Sequence, residues 1–522
     1  MLESAVSVEV LQGVLIAVLA APAVVTALAC AAGRRRPRWT ARIATLSAGL
    51  GFLGAAVLAT NVTVGDAVSV TAGGGVVAVS ADRLSVVLLC LVFGISALVQ
   101  SFGIRYLAGD PKAARFTAGA NLVTAASAGL VASATLFTLA VFWTAAGIAL
   151  CLLLAMYPDL PAARDGVVRT AKAFFVGDLA LWTAVALITA RWGSVDLRTL
   201  AERGIDGTAA ATAAVLIVVA ALSRSAQLPF VRWLPATLAA PTPVSALLHA
   251  GVVNAGGVLL VKLSPLLAGA DIARALTILA AAGTVVYGAM VMLVKPDVKG
   301  ALAHSTIAQM GFMVLACGLG LSIAAVLHLV AHGFYKARLF LASGSAVAEH
   351  RGRSALPPAP VLTRRRHATI AVTAAMLSGS VLVIALLVTP LPKGADEAML
   401  MVFAWATAAA ATLGWLRRRP TLAGTAAAAA FLAPATFGYL LLVSSLSRFL
   451  TPAVPEVPAP TPTVWALLAV IVALAGLAVL RTTARRGGSA RLQRVLYAHA
   501  LSAGHVAAPS AHRPPAMTGA SS

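Results

Sequence analysis

Apolar residues run along this chain in stretches of about twenty, each closed by a short polar or basic loop. By length the spans fall near 11–33, 41–61, 84–104, 117–135, 136–157, 173–190, 208–228, 242–264, 272–294, 300–320, 321–345, 367–389, 398–416, 421–445 and 463–480. Each is close to the roughly 20 residues that a helix needs to cross a hydrocarbon core. The pattern therefore predicts an all-α polytopic membrane protein with about 14–15 transmembrane helices. The 117–157 and 300–345 pairs are the least sharply divided.

Between the second and third spans the period changes. VSVTAGGGVVAVSADR alternates around three glycines, which predicts a small external β-hairpin. Prolines mark two linkers. SALPPAPVLTRRR (354–366) reads as a cytoplasmic crossing between helical blocks, and PAVPEVPAPTPT (452–463) as an extended external loop. These breaks divide the chain into N-terminal helices with the hairpin (1–80), a core (81–350), C-terminal helices (351–480) and a basic tail (481–522). The end of the tail is rich in Ser, Ala and Pro and is expected to be disordered. No short repeat of fixed period appears.

One stretch departs from simple spans. From Ser223 to Lys262 an apolar run reaches Arg224, meets Pro229 and Pro235, and restarts at Pro241-Thr242-Pro243. It then carries His249 and Asn254 across a second run containing Gly256-Gly257. Prolines and glycines at membrane depth free backbone polar groups, which is tolerable only against protein or a wet cavity. Ionisable groups at that depth point to an ion or proton path. The plainer alternative is a proline-kinked helix pair whose Arg224 snorkels to a headgroup.

Composition agrees with the spans. Of 522 residues, 60% are hydrophobic and 11% charged, which excludes an ordinary soluble globular chain. A net charge of +22 would suit nucleic-acid binding, but the basic residues sit in short clusters between spans and form no stripe. Clusters such as Arg34–Arg36, Arg364–Arg366 and Arg417–Arg419 follow odd-numbered spans. The resulting excess over the even-numbered loops is roughly two- to threefold, which by the positive-inside rule puts the amino terminus outside and the carboxyl tail in the cytoplasm. The acidic start MLESAVSVEV favours a retained first helix over a cleaved signal. Cys30, Cys90, Cys151 and Cys317 stand singly in apolar runs and suggest neither a disulfide framework nor a zinc site. Walker, dinucleotide-binding, GxSxG and HExxH patterns are lacking, so ATP-driven pumping by this polypeptide alone is not expected.

HLVAHGFYKARLF adds a second candidate feature. His328, His332 and Lys336 are spaced by four and share one helical face. Imidazole changes charge near neutral pH, and a lysine taken out of water gives up its proton more readily, so the row suits a proton relay. Structural hydrogen bonding and a two-histidine metal site are the alternatives. His249 is placed to join the row from a neighbouring helix. Asp178, an isolated acid in FFVGDLAL, needs a cation, and Arg224 is the preferred partner. Lys262 reads as a snorkelling residue. His304 and Lys299 read as either a cytoplasmic feed or solvated loop groups.

These residues carry a resemblance. SAQLPFVRWLPATLAAPTPVSALLHA, KPDVKGALAHSTIAQMGFM and HLVAHGFYKARLFLASGSAV are similar to the core of the proton-conducting membrane subunits of respiratory complex I and Mrp-type antiporters. With DRLSVVLLCLVFG and the surroundings of Trp143, the likeness covers roughly residues 80–350. LAAPTPVSALLHAGVVNAGGVLL and RVLYAHALSAG (494–504) resemble one branch, the membrane subunits of DAB inorganic carbon transporters (DabB-like). The resemblance implies an antiporter-subunit-like bundle with a broken seventh helix, in the cell (inner) membrane. It implies no cofactor in this chain, and a large cytoplasmic partner with a zinc, carbonic-anhydrase-like site. Flow of protons, or less readily sodium, would then energise hydration of carbon dioxide to bicarbonate.

Residue by residue, the resemblance puts Arg224 in place of the mid-membrane lysine of the seventh helix. His249 takes the place of the eighth-helix histidine, Asp178 that of a sixth-helix acid, and His328, His332 and Lys336 that of the eleventh-helix row. Asn254 would hydrogen-bond water in the unwound segment. Lys393 echoes a twelfth-helix lysine. Two departures stand out. Arginine stays protonated where lysine can toggle, and Thr144 follows Trp143 where complex I subunits carry a glutamate. A redox-driven pump module or Mrp-type antiporter subunit is the alternative function, and a non-conducting scaffold the third.

Overall fold

The computed structural model describes residues 7–193, 196–203, 205–295, 297–345, 363–389 and 395–454, with residues 494, 497 and 498. The linker at 346–362, Lys393, the predicted span at 463–480 and nearly all of the tail, with most of 494–504, lie outside them.

Two helices, α1 (Val8–Ala32) and α2 (Pro37–Val64), lead into a hairpin of β1 (Val68–Ala72) and β2 (Val77–Ala81). The strands pair antiparallel with Val68 opposite Ala81. Gly73, Gly74 and Gly75 turn the chain with φ of 60°, 65° and 90°, a conformation that favours glycine. Next come α3 (Arg83–Tyr106), α4 (Ala113–Ala132), α5 (Leu136–Leu154) and α6 (Pro161–Trp192). Short α7 (Leu197–Arg203) precedes α8 (Gly207–Arg224), the four-residue α9 (Trp233–Ala236), α10 (Thr242–Ala250), α11 (Ala255–Lys262) and short α12 (Ser264–Ala268). The series ends with α13 (Asp271–Val294), α14 (Val298–Gly318), α15 (Ser322–Leu341), α16 (Arg364–Val388), α17 (Ala395–Arg418) and α18 (Leu422–Leu450).

Side-chain caps begin several of these helices. Asp82, Thr135 and Asp297 each accept a backbone N–H from the first turn of α3, α5 and α14, satisfying donors that a helix start leaves free. On α1 the buried positions recur as Leu11, Leu15, Val18, Pro22, Val25 and Ala29, so one stripe packs inward and the rest stays apolar and exposed. That outward apolar surface is what a lipid-facing helix presents.

Among the described residues, twelve spans are long and apolar enough to cross a membrane. Helices α4 and α15 match them in length but not in apolarity, because they bury Thr117, Asn121 and Thr124, and His332 and Lys336. These polar side chains are thus turned into the bundle.

The chain is interrupted where the sequence reading put it, between Arg224 and Pro241, and a second time further on. Helix α8 stops at Arg224, and the eighth span breaks at Gly251, where α10 gives way to a 3-10 turn at Val252–Asn254 before α11. Gly256 and Gly257 do not make this break. They lie inside α11 for close packing: a Cβ on Gly256 would come within 2.5 Å of the Ala221 carbonyl oxygen.

Candidate functional site

The freed backbone at the two interruptions is met by protein side chains. Ser225 Oγ donates to the Val253 carbonyl at 2.8 Å, tying the end of α8 to the break in the eighth span. Gln227 Nε2 donates to the Ser225 carbonyl at 2.6 Å. The Leu228 N–H donates to Thr284 Oγ1 at 2.9 Å, and Trp233 Nε1 to the Ser223 carbonyl at 3.0 Å. In a bilayer, where water cannot take over these groups, such bonds are what permits an unwound segment.

One cluster is built on α5, α6 and α8. The Arg224 guanidinium is 1% exposed, with Nη2 donating to Asp178 Oδ1 at 2.8 Å and Nη1 to the Trp143 carbonyl at 3.1 Å. Its plane lies against the rings of Trp143 and Phe174, 4.5 Å and 4.1 Å from their centroids. Stacking and a carboxylate together hold a charge that desolvation would otherwise penalise heavily. Gly147 leaves room for this head, since a Cβ there would lie 2.9 Å from both terminal nitrogens. Thr144 accepts from Trp182 Nε1 at 3.0 Å. Arg224 is therefore turned into the bundle rather than toward a headgroup.

The second cluster joins α10, α14 and α15. His332 Nε2 lies 3.2 Å from the His249 carbonyl oxygen and Nδ1 2.9 Å from Gln309 Oε1. A carbonyl only accepts, so Nε2 carries a proton. Nδ1 then either carries a second proton and donates to Gln309, or accepts from a flipped Gln309 amide. These two states differ by one proton and one amide rotation. His328 stacks beside His332 with ring centroids 5.7 Å apart. Lys336 Nζ, fully buried, donates to Ser305 Oγ at 2.8 Å. The His249 ring stacks on Phe340 at 4.3 Å. His304 lies on α14 next to Ser305, with Nδ1 2.9 Å from the Gly300 carbonyl oxygen.

The structure thus brings His249, His328, His332 and Lys336 together and sets Arg224 with Asp178 apart from them. Between the clusters stands the break, where Asn254 Nδ2 donates to the Ala250 carbonyl at 2.7 Å. Among the described residues, Asn254 Oδ1, Gln227 Oε1, both His249 ring nitrogens and His304 Nε2 are buried without a protein hydrogen-bond partner. Groups of this kind are ordinarily met by internal water. Lys262 has a structural bond, its Nζ donating to the Ser133 carbonyl at the end of α4 at 3.0 Å. Lys299 likewise donates to the Ala240 carbonyl at 3.1 Å.

Gln309, Ser305 and Phe340 complete the second cluster and were not singled out from the sequence. Ser305 and Gln309 did leave a signal, two polar residues four apart on α14, on which His304 also lies. Among the described residues no three His, Cys, Asp or Glu side chains converge as a metal site would require.

The family described as NADH:quinone oxidoreductase/Mrp antiporter, TM, matches residues 133–416, and that described as NADH-Ubiquinone oxidoreductase (complex I), chain 5 N-terminus, matches residues 76–117. The chain is 38% identical over 290 residues to the probable inorganic carbon transporter subunit DabB1 of Halothiobacillus neapolitanus, covering 54% of this chain and 52% of that one. It is 37% identical over 276 residues to NADH-quinone oxidoreductase subunit L of Mycobacterium tuberculosis, covering 51% and 43%. The chain spans about half the length of the curated relatives it matches. Among solved structures it is similar to the Mrp complex from Dietzia sp., with a TM-score of 0.63, 27% identity, and coverage of 94% of this chain and 59% of that one. Respiratory complex I from Thermus thermophilus shares the fold, with a TM-score of 0.56, 22% identity, and coverage of 94% of this chain and 99% of that one.

Proposed function

The chain belongs to the NADH:quinone oxidoreductase/Mrp antiporter transmembrane family, whose match covers more than half of its length, and from that premise we propose that it is the membrane coupling subunit of an inorganic carbon uptake complex. Protons, or less readily sodium, pass through the core at residues 81–350 and drive a large cytoplasmic partner with a zinc, carbonic-anhydrase-like site. The amino terminus lies outside and the carboxyl tail in the cytoplasm, as the basic loops favour. His249, His328, His332 and Lys336 relay the charge, Arg224 and Asp178 are a fixed pair that tunes it, and Asn254 holds water at the break.

One observation carries the relay: His332 sits between the His249 carbonyl and Gln309, in a geometry satisfied by two protonation states. Its neighbours His328 and Lys336 extend that position along α15. Arg224 cannot share the task, because guanidinium stays charged and this one is fixed by two hydrogen bonds and two rings. Likeness to a relative named as an inorganic carbon transporter subunit supports carbon as the cargo of the complex.

The similarity to NADH-quinone oxidoreductase subunit L favours a second reading, a redox-driven pump or antiporter subunit. Purification of the chain from its native membranes and identification of what comes with it decides between them. A single large soluble zinc protein is expected. Recovery of quinone-reductase or multi-subunit antiporter components would overturn the proposal.

A further inference from the structure

The seam between α3 and α4 contains a buried polar file that takes no part in the relay just described. Asn121 Nδ2 donates to Gln100 Oε1 at 2.8 Å, and Gln100 Nε2 donates to Ser96 Oγ at 2.8 Å. Ser96 Oγ is 2.7 Å from Thr124 Oγ1, whose own hydrogen goes to the Ala120 carbonyl. Ser96 therefore donates to Thr124. All four side chains are at most 3% exposed.

Each end of the file opens on a cavity. At one end Gln100 and Thr117 line a hollow of about 580 Å³ whose rim includes Arg36, Arg38, Trp39 and Asp110. At the other, Thr124 and Ser127 line a small cavity of about 40 Å³ that also receives Gly251 and Asn254 of the interrupted span. A space of that size has room for roughly three waters at ~10–15 Å³ each. Asn254, 3% exposed, brings to this wall a side-chain oxygen without a protein partner among the described residues. From Thr117 to Thr124 the helical rise is about 10 Å, so the file bridges a short septum.

We infer that the α3–α4 seam is a second entry for water, and with it for protons, to the interrupted span, and that the Gln100–Asn121 amide pair is its constriction. This rests on reading that span as an ion path. The alternative is polar glue between two helices, which hydrogen-bonded Ser, Thr, Asn and Gln supply in membranes. Glue needs neither a cavity at each end nor an orphaned amide oxygen at the inner one. Amides bind water but hand on a proton poorly, so the file as bonded is a plug that water must part.

The test uses the full chain in its complex, with Cys30, Cys90, Cys151 and Cys317 replaced by alanine. Single cysteines are placed as Thr124→Cys, Ser127→Cys and, at a fully buried position lining neither cavity, Ala128→Cys. A small water-soluble methanethiosulfonate is expected to label the first two roughly tenfold faster than the third. Adding Asn121→Leu is expected to slow labelling at Thr124→Cys and Ser127→Cys by a similar factor, and in the otherwise unaltered chain to lower carbon uptake with the complex intact.

Labelling at Thr124→Cys and Ser127→Cys as slow as at Ala128→Cys would make the seam dry glue and overturn the inference. So would fast labelling that Asn121→Leu leaves unchanged or, in a chain that purifies with the soluble zinc protein, slowed labelling with uptake untouched. Labelling needs no carbon substrate. The expected pattern in a chain that purifies with quinone-reductase subunits would sink the carbon reading and leave this one standing.

Discussion

Arg224 shows how a single residue type redirects a site. A lysine in its place would present a point charge able to lose its proton, whereas the guanidinium spreads over two aromatic faces and a carboxylate. Removal of the acid should therefore hurt more than removal of both charges. Asp178→Asn is expected to destabilise by about 2 kcal/mol, below the cost of breaking a fully enclosed pair because the Asp178 side chain is 19% exposed. Adding Arg224→Met to that variant should restore much of the loss, and thermal unfolding of the purified protein in one detergent measures both.

Gln309 offers a second test at this scale. Gln309→Leu removes the group opposite His332 Nδ1 and is expected to lower carbon uptake roughly tenfold while leaving assembly intact, because a buried imidazole nitrogen then loses its partner. Uptake by cells with equal amounts of complex checks it. The histidines, Lys336 and the Arg224–Asp178 pair could be read from the chain, since polar residues in apolar runs announce themselves. Gln309, Ser305 and Phe340 could not be assigned, because the helix supplying a partner is fixed only by packing.

At the scale of elements, run length located the helices well, and the alternation around Gly73–Gly75 located the hairpin. What the chain concealed was which glycine breaks a helix and which lets two helices touch. Gly251 does the first and Gly256 with Gly257 the second. Gly256→Ala should drive a methyl group into the Ala221 carbonyl and the end of α8, costing about 1–3 kcal/mol by overpacking. Lower yield and an earlier thermal transition would show it; a variant as stable as the parent would mean that the two helices are less tightly joined than described. The polar character of α4 and α15 has a similar lesson. Their weak hydropathy blurred the span boundaries at 117–157 and 300–345, and the cause was the polar residues that they carry into the interior.

For the whole molecule, the outward surfaces of α1, α2 and α16 are apolar, while the polar groups collect along the interrupted spans and the α3–α4 seam. That separation suits a multi-pass membrane subunit whose polar groups are kept from lipid. The charge asymmetry of the loops predicts that an impermeant reagent reaches a cysteine at Ser7 from outside and one at Thr363 only after the membrane is opened. Labelling in intact cells against opened vesicles reports both, and the reverse pattern would invert the orientation.

The most direct measurement is uptake of isotopically labelled inorganic carbon by cells carrying His332→Ala, with the amount of assembled complex determined in the same membranes. The relay account predicts that uptake falls by roughly tenfold or more at unchanged assembly. Full-rate uptake by the assembled variant would contradict it and leave the chain a scaffold.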